Sequence, residues 1–156
     1  MRKAFLTLFY SGLSPKAPGT VGSVVALILG LIILWLSSPT TLFLLTILVS
    51  IIAVNQIDKY EHEVGSHDDK EIVIDELAGM WLCLSMVAHS SDVNIFIGAI
   101  LGFALFRFFD IAKPSIIGKI DAKVKGGLGV MGDDIVAGFF AGLVTLLILK
   151  LSLFLV

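Results

Sequence analysis

An all-α fold, a small polytopic membrane bundle of about five apolar helices plus an N-terminal interfacial amphipathic segment, is what the sequence predicts. Three observations lead there. Apolar residues make up 57% of the 156 residues and charged ones only 15%, and the mean hydropathy of +1.01 lies outside the range of a soluble globule. The apolar residues gather into five runs, roughly 21–36, 40–54, 72–88, 93–109 and 135–156. The charges collect between those runs, so the net charge of −2 says little about partners, and no nucleic-acid partner is expected. A chain this long suits one domain, 1–156. Its one cysteine, Cys83, lies in an apolar run and excludes an intrachain disulfide.

The opening MRKAFLTLFY has a basic start and a short apolar stretch but no small-residue cleavage site. Phe5, Leu8, Phe9 and Leu13 recur at helical spacing, which predicts an amphipathic segment lying on the membrane. Turn-forming residues follow in SPKAPGT, where Thr20 is placed to cap the first long helix. The Ser37-Ser38-Pro39 connection is short enough to make the first two runs an antiparallel pair. The third run is the doubtful span, because it opens on Asp75 and Glu76. Gly98-x-x-x-Gly102 and Gly138-x-x-x-Gly142 read as seams where helix backbones approach closely.

Basic residues orient the bundle. Arg2, Lys3 and Lys16 precede the first run, Lys59 and Lys70 follow the second, and Lys113, Lys119, Lys123 and Lys125 precede the fifth, whereas the 89–94 connection has none. The positive-inside rule puts those three lysine-bearing segments in the cytoplasm, with the C-terminus outside.

That orientation brings Asp75, Glu76, Asp110, Asp133 and Asp134 to one cytoplasmic end if the last three runs pack together. Carboxylates about 5 Å apart repel by roughly 3 kcal/mol at an effective dielectric of 20, so such a group needs cations. An all-oxygen donor set favours a hard ion, Mg²⁺ where phosphate oxygens complete the shell. Simpler accounts exist for some of these acids. Asp133 and Asp134 could cap the last helix and favour its dipole, and Arg107, Asp110 and Lys113 could form an ion-pair ladder. Asp75 and Glu76 resist such an account, being embedded between IVI and LAGMW.

Lys113, Lys125 and Arg107 beside a metal site suggest a phosphate-bearing substrate. Lys119 and Lys123 read better as orienting residues that touch lipid headgroups. The glycines at 126, 127 and 129 could offer N–H groups to a phosphate, although they match no P-loop spacing. His62 and His67, with Asp68 and Asp69, read as a solvated loop whose acids could join the outer shell of the site.

The blocks GLSPKAPGTVGS (12–23), IVIDELAGMW (72–81), RFFDIAKP (107–114) and DAKVKGGLGVMGDDIVAG (121–138) together resemble the phosphatidylglycerophosphatase A family of bacterial membrane phosphatases. The resemblance implies Mg²⁺-dependent hydrolysis of the terminal phosphomonoester of phosphatidylglycerophosphate, yielding phosphatidylglycerol and phosphate in phospholipid biosynthesis. It also implies a multi-pass protein of the bacterial inner (cytoplasmic) membrane with its site facing the cytoplasm, a phospholipid as substrate and membrane lipids around it. Carried over by motif, the family's acids fall on Asp75, Glu76, Asp110, Asp133 and Asp134, and its bases on Lys113 and Lys125; Thr20 joins the phosphate-binding candidates. Two other classes compete. A metal-dependent phosphatidyl transferase would release CMP, and a small cation carrier would place its acids near the bilayer middle. A non-catalytic scaffold leaves the clustered acids unexplained.

Overall fold

The computed structural model describes residues 1–65 and 69–154. Among these the chain is helical throughout with no strand, as the five apolar runs require. In order come α1 (Arg2–Leu6), a 3-10 turn (Ser11–Leu13), α2 (Pro18–Leu36), α3 (Pro39–Val64), α4 (Ile74–Ala88), α5 (Ile95–Ala112), α6 (Ile116–Lys123) and α7 (Gly127–Phe154).

The helix starts follow local chemistry. Pro18 and Pro39 open α2 and α3, where the missing N–H is no loss. Ser38 caps α3 by accepting the Thr41 N–H at 3.1 Å, and Asn94 caps α5 by accepting from Phe96 and Ile97. The N-terminal segment departs from a continuous amphipathic helix. It stops at Leu6, because Leu8, Phe9 and Tyr10 take positive φ and turn the chain back. Leu6 and Leu8 are thereby buried, and Phe9 and Tyr10 remain exposed.

The architecture is one helix surrounded by others. α4 packs against α2, α3, α5 and α7, and two-thirds of its residues are buried. α2, α3, α5 and α7 are each long and apolar enough to cross a membrane. Their outward faces carry exposed large apolar residues such as Ile32, Leu48, Ile100 and Leu147, the pattern expected where the solvent is lipid. At 15 residues α4 is about 22 Å long at 1.5 Å per residue, short of the roughly 30 Å hydrocarbon core. The other four helices shield it.

Both glycine pairs are packing seams. Gly98 faces Val87, Gly102 faces Cys83, Gly142 faces Met86, and Gly138 lies on the carbonyl of Gly79. α4 is thus clasped by backbones that only glycine lets come so close.

Three boundaries differ from the sequence reading, each for a physical reason. α3 runs ten residues past 54, because Ile57 and Tyr60 pack inward and give the polar extension one anchored face. His62 is therefore helical rather than in a loop, and His67 and Asp68 lie outside the described residues. α7 starts at Gly127 instead of 135, so Asp133 and Asp134 lie within the helix and do not cap it. The 110–134 segment is not simply a loop, since α6 folds there and buries Ile117.

Candidate active site

Among the described residues, six carboxylates, two lysines and a glycine-bearing helix start surround one cavity of about 380 Å³. Asp75 and Glu76 come from the first turn of α4, where the helix dipole favours negative charge. Asp110 comes from the end of α5, and Asp133 and Asp134 from the second turn of α7. The packing of α4, α5 and α7 that the sequence made conditional is present, and all five acids line the cavity. Asp133 and Asp134 are 5% and 3% exposed, which removes them from bulk water.

These acids divide into two sets. Asp110 takes the Arg107 guanidinium, Nη1 to Oδ2 at 2.5 Å, and Asp133 Oδ2 takes the Lys113 ammonium at 2.7 Å. Asp75, Glu76 and Asp134 instead face one another, with one oxygen from each lying within 4.8 Å of the others. Asp75 Oδ1, Glu76 Oε2 and Asp134 Oδ2 are buried without a hydrogen-bond partner. Buried carboxylate oxygens are rarely left so, because desolvation without compensation costs several kcal/mol. Three such oxygens in one group make an all-oxygen donor set suited to a hard divalent cation.

The cations are anchored with equal care. Arg107 donates from Nη1 to Ser23 Oγ at 3.2 Å and approaches Glu76 Oε1 at 3.9 Å, tying α2, α4 and α5 together. Ser23 is itself held by donating to the Gly19 carbonyl at 2.7 Å. Lys113 follows α5 in a left-handed conformation, φ 42°, unusual for a residue with a side chain and characteristic of functional sites. That turn aims its ammonium between Asp133 and Asp121 of α6, donating to both. Burial works against the charge on Lys113, but its bonds to Asp121 and Asp133 outweigh this and hold its pKa above the ordinary lysine range.

Sequence reasoning passed over three lining residues. Asp121 stands in the DAKVKGGLGVMGDDIVAG block, where nothing along the chain gives it a role. Lys70 was credited with orientation alone. Gly19 lies so close to Glu76 Oε1 that any side chain there would collide with it, so the PGT motif places backbone at the cavity wall. Its neighbour Thr20 is half-buried and is not a lining residue, and Lys125 is exposed and outside the lining as well. The glycines at 126, 127 and 129 shape the start of α7. Gly126 turns at φ +73°, and the Gly127 N–H is taken by Asp58 of α3 at 2.6 Å, so that N–H is not free for a phosphate.

Fold and site together define a helical membrane protein with a buried, metal-suited acidic centre rimmed by fixed cations. The family model for phosphatidylglycerophosphatase A matches residues 4–149, and the chain belongs to that family. Relatives agree along most of their length. The phosphatidylglycerophosphatase A of Haemophilus influenzae is 38% identical over 136 residues, covering 87% of this chain and 81% of that protein. The Escherichia coli protein of the same name is 40% identical over 131 residues, covering 83% and 73%. A Bacteroides thetaiotaomicron protein named as a putative phosphatidylinositol-3-phosphatase is 37% identical over 139 residues, covering 86% and 85%. No solved structure matches the chain.

Proposed function

We propose that this chain is a Mg²⁺-dependent phosphatase of the bacterial inner membrane, hydrolysing the terminal phosphomonoester of phosphatidylglycerophosphate at its cytoplasmic face. The observation that carries this reading is the trio of unpartnered buried oxygens on Asp75, Glu76 and Asp134 beside Lys113 and Arg107, in a chain of this family.

Asp75, Glu76 and Asp134 would hold the metal, which when bound supplies Lewis-acid polarisation of the phosphoryl group and a lowered pKa for water. Lys113 binds a phosphoryl oxygen, its fixed charge meeting the negative charge that develops there. Arg107 holds Asp110 and steadies Glu76, which keeps the acids in place while substrate enters. Asp133 presents Lys113 through Oδ2 and keeps Oδ1 free of hydrogen bonds, so Oδ1 takes the proton from the attacking water. Among the described residues no serine, cysteine or histidine lines the cavity, which favours attack by water over a phosphoenzyme on one of those side chains and leaves a carboxylate as the alternative nucleophile.

The acyl chains stay in lipid while the headgroup reaches the cavity. The names of the relatives point to lipids with a common pattern, since phosphatidylglycerophosphate and a phosphatidylinositol phosphate each carry a phosphomonoester beyond a lipid phosphodiester. Incubating the purified protein with phosphatidylglycerophosphate, and in parallel with a CDP-activated lipid and an alcohol acceptor, each with Mg²⁺ or EDTA, and measuring free phosphate beside CMP tests the reading. Phosphate release that EDTA abolishes, with no CMP, is the expected result. CMP release from a nucleotide-activated lipid, or phosphate release indifferent to EDTA, would overturn it.

A further inference from the structure

Among the described residues two cations line the cavity, Lys70 and Lys113, and their surroundings differ. Lys113 is bonded to Asp121 and Asp133, so its charge is matched within the protein. Lys70 lines the same cavity, is exposed, and has no carboxylate partner among the described residues.

Its position is not that of a loose surface lysine. The turn at 69–71 leads directly into α4 and is tied down on both sides. Tyr60 Oη donates to Asp69 Oδ2 at 2.9 Å, the Glu71 N–H donates to Asp69 Oδ1 at 3.2 Å, and the Ile72 N–H donates to the Asp69 carbonyl at 2.8 Å. Lys3 pairs with Glu71 at 2.9 Å, and Gly12 packs on the Glu71 carbonyl. The two acids flanking Lys70 are thus engaged by Tyr60 and Lys3, and the lysine between them is left to the cavity. A cavity of about 380 Å³ also has room beyond a single phosphoryl group.

We propose that Lys70 is a specificity-determining residue that binds the lipid phosphodiester while the phosphomonoester lies at Lys113 and the acidic centre. The site then reads two phosphates on one headgroup and favours lipids that carry both over lipids with a phosphomonoester alone. This assignment rests on the hydrolase reading above. An exposed ammonium meeting a phosphodiester contributes to binding and not to the chemical step, so its removal acts on KM.

The test uses the full-length protein in uncharged detergent, where attraction to an anionic surface contributes nothing. Wild type, Lys70→Ala and Lys70→Arg are compared for phosphate release from phosphatidylglycerophosphate and for inhibition by inorganic phosphate, which probes the phosphomonoester position alone. Lys70→Ala is expected to raise KM about tenfold with kcat within about twofold, and Lys70→Arg to return KM to within about threefold of wild type. Inhibition by inorganic phosphate is expected to be the same in all three. An unchanged KM in Lys70→Ala, or inorganic phosphate inhibition weakening in step with KM, would overturn the assignment. So would Lys70→Arg behaving like Lys70→Ala, which would mark a structural role. A wild type that releases no phosphate from this lipid would refute the hydrolase reading itself, a failure distinct from these.

Discussion

Gly79 of α4 lies against the backbone carbonyl of Asp134 in α7: a Cβ at Gly79 would sit 2.5 Å from that oxygen and the same distance from the Phe106 ring. One turn further along α7, Gly138 lies on the Gly79 carbonyl. This crossing is what brings the Asp134 side chain level with Asp75 and Glu76, one turn before Gly79 on α4. The helix seam and the acidic centre are therefore one structural device. Gly79→Ala is expected to destabilise the fold by about 1–3 kcal/mol through overpacking. Thermal unfolding in detergent should show the loss, and activity should fall with it. An unchanged unfolding midpoint would mean the helices separate without strain.

Lys113 serves two acids at once, and replacing it leaves Asp121 and Asp133 facing each other without a cation. Lys113→Ala is expected to lower kcat/KM by about a hundredfold or more, the usual consequence of losing a preorganised charge at a developing anion. Steady-state phosphate release checks this. Lys125→Ala, at an exposed position outside the cavity, is expected to change kcat/KM by less than about threefold. Equal losses in the two variants would return Lys125 to the site, as its motif position suggests.

Asp58 reaches from α3 to the first N–H of α7, a cap supplied from a helix 69 residues away in sequence. Asp58→Ala is expected to destabilise the protein by about 1 kcal/mol, and Asp58→Asn by less, since an amide oxygen still accepts the bond. Chemical or thermal unfolding of the two variants side by side would reveal the order. The reverse order would show that charge, and not the cap, matters there.

The orientation drawn from lysine placement can be checked by labelling. In intact spheroplasts a membrane-impermeant maleimide is expected to modify Ser91→Cys but not Lys119→Cys, and in inverted vesicles the reverse. Native Cys83 is buried and should stay silent. Labelling of both positions from one side would contradict the topology.

Much of this was legible in the sequence because hydrocarbon runs and misplaced charges are local signals. The five helices, the glycine seams and the meeting of Asp75, Glu76, Asp110, Asp133 and Asp134 all follow from them. What was not legible depends on tertiary contact. The polar half of α3 scores as loop, and only the burial of Ile57 beneath neighbouring elements makes it a helix. Nothing in the glycine run announces that Asp58 will start α7 eight residues early. The division of the five acids into Asp110 and Asp133, each bonded to a cation, and the mutually facing trio of Asp75, Glu76 and Asp134 needs side-chain geometry, since all five look alike along the chain. Gly19 was hidden for a similar reason, because a glycine that makes room for Glu76 looks like any turn residue.

Under the proposed function, Asp75, Glu76 and Asp134 hold the metal on which hydrolysis depends. The most direct test of that role is phosphate release from phosphatidylglycerophosphate by EDTA-stripped wild type and Asp134→Asn across a Mg²⁺ titration, with both proteins first shown to be folded in membranes. Wild type should recover full turnover, and Asp134→Asn should remain at least about a hundredfold slower at every Mg²⁺ concentration. Near-normal turnover by Asp134→Asn, or turnover by the stripped wild type without added metal, would contradict the account.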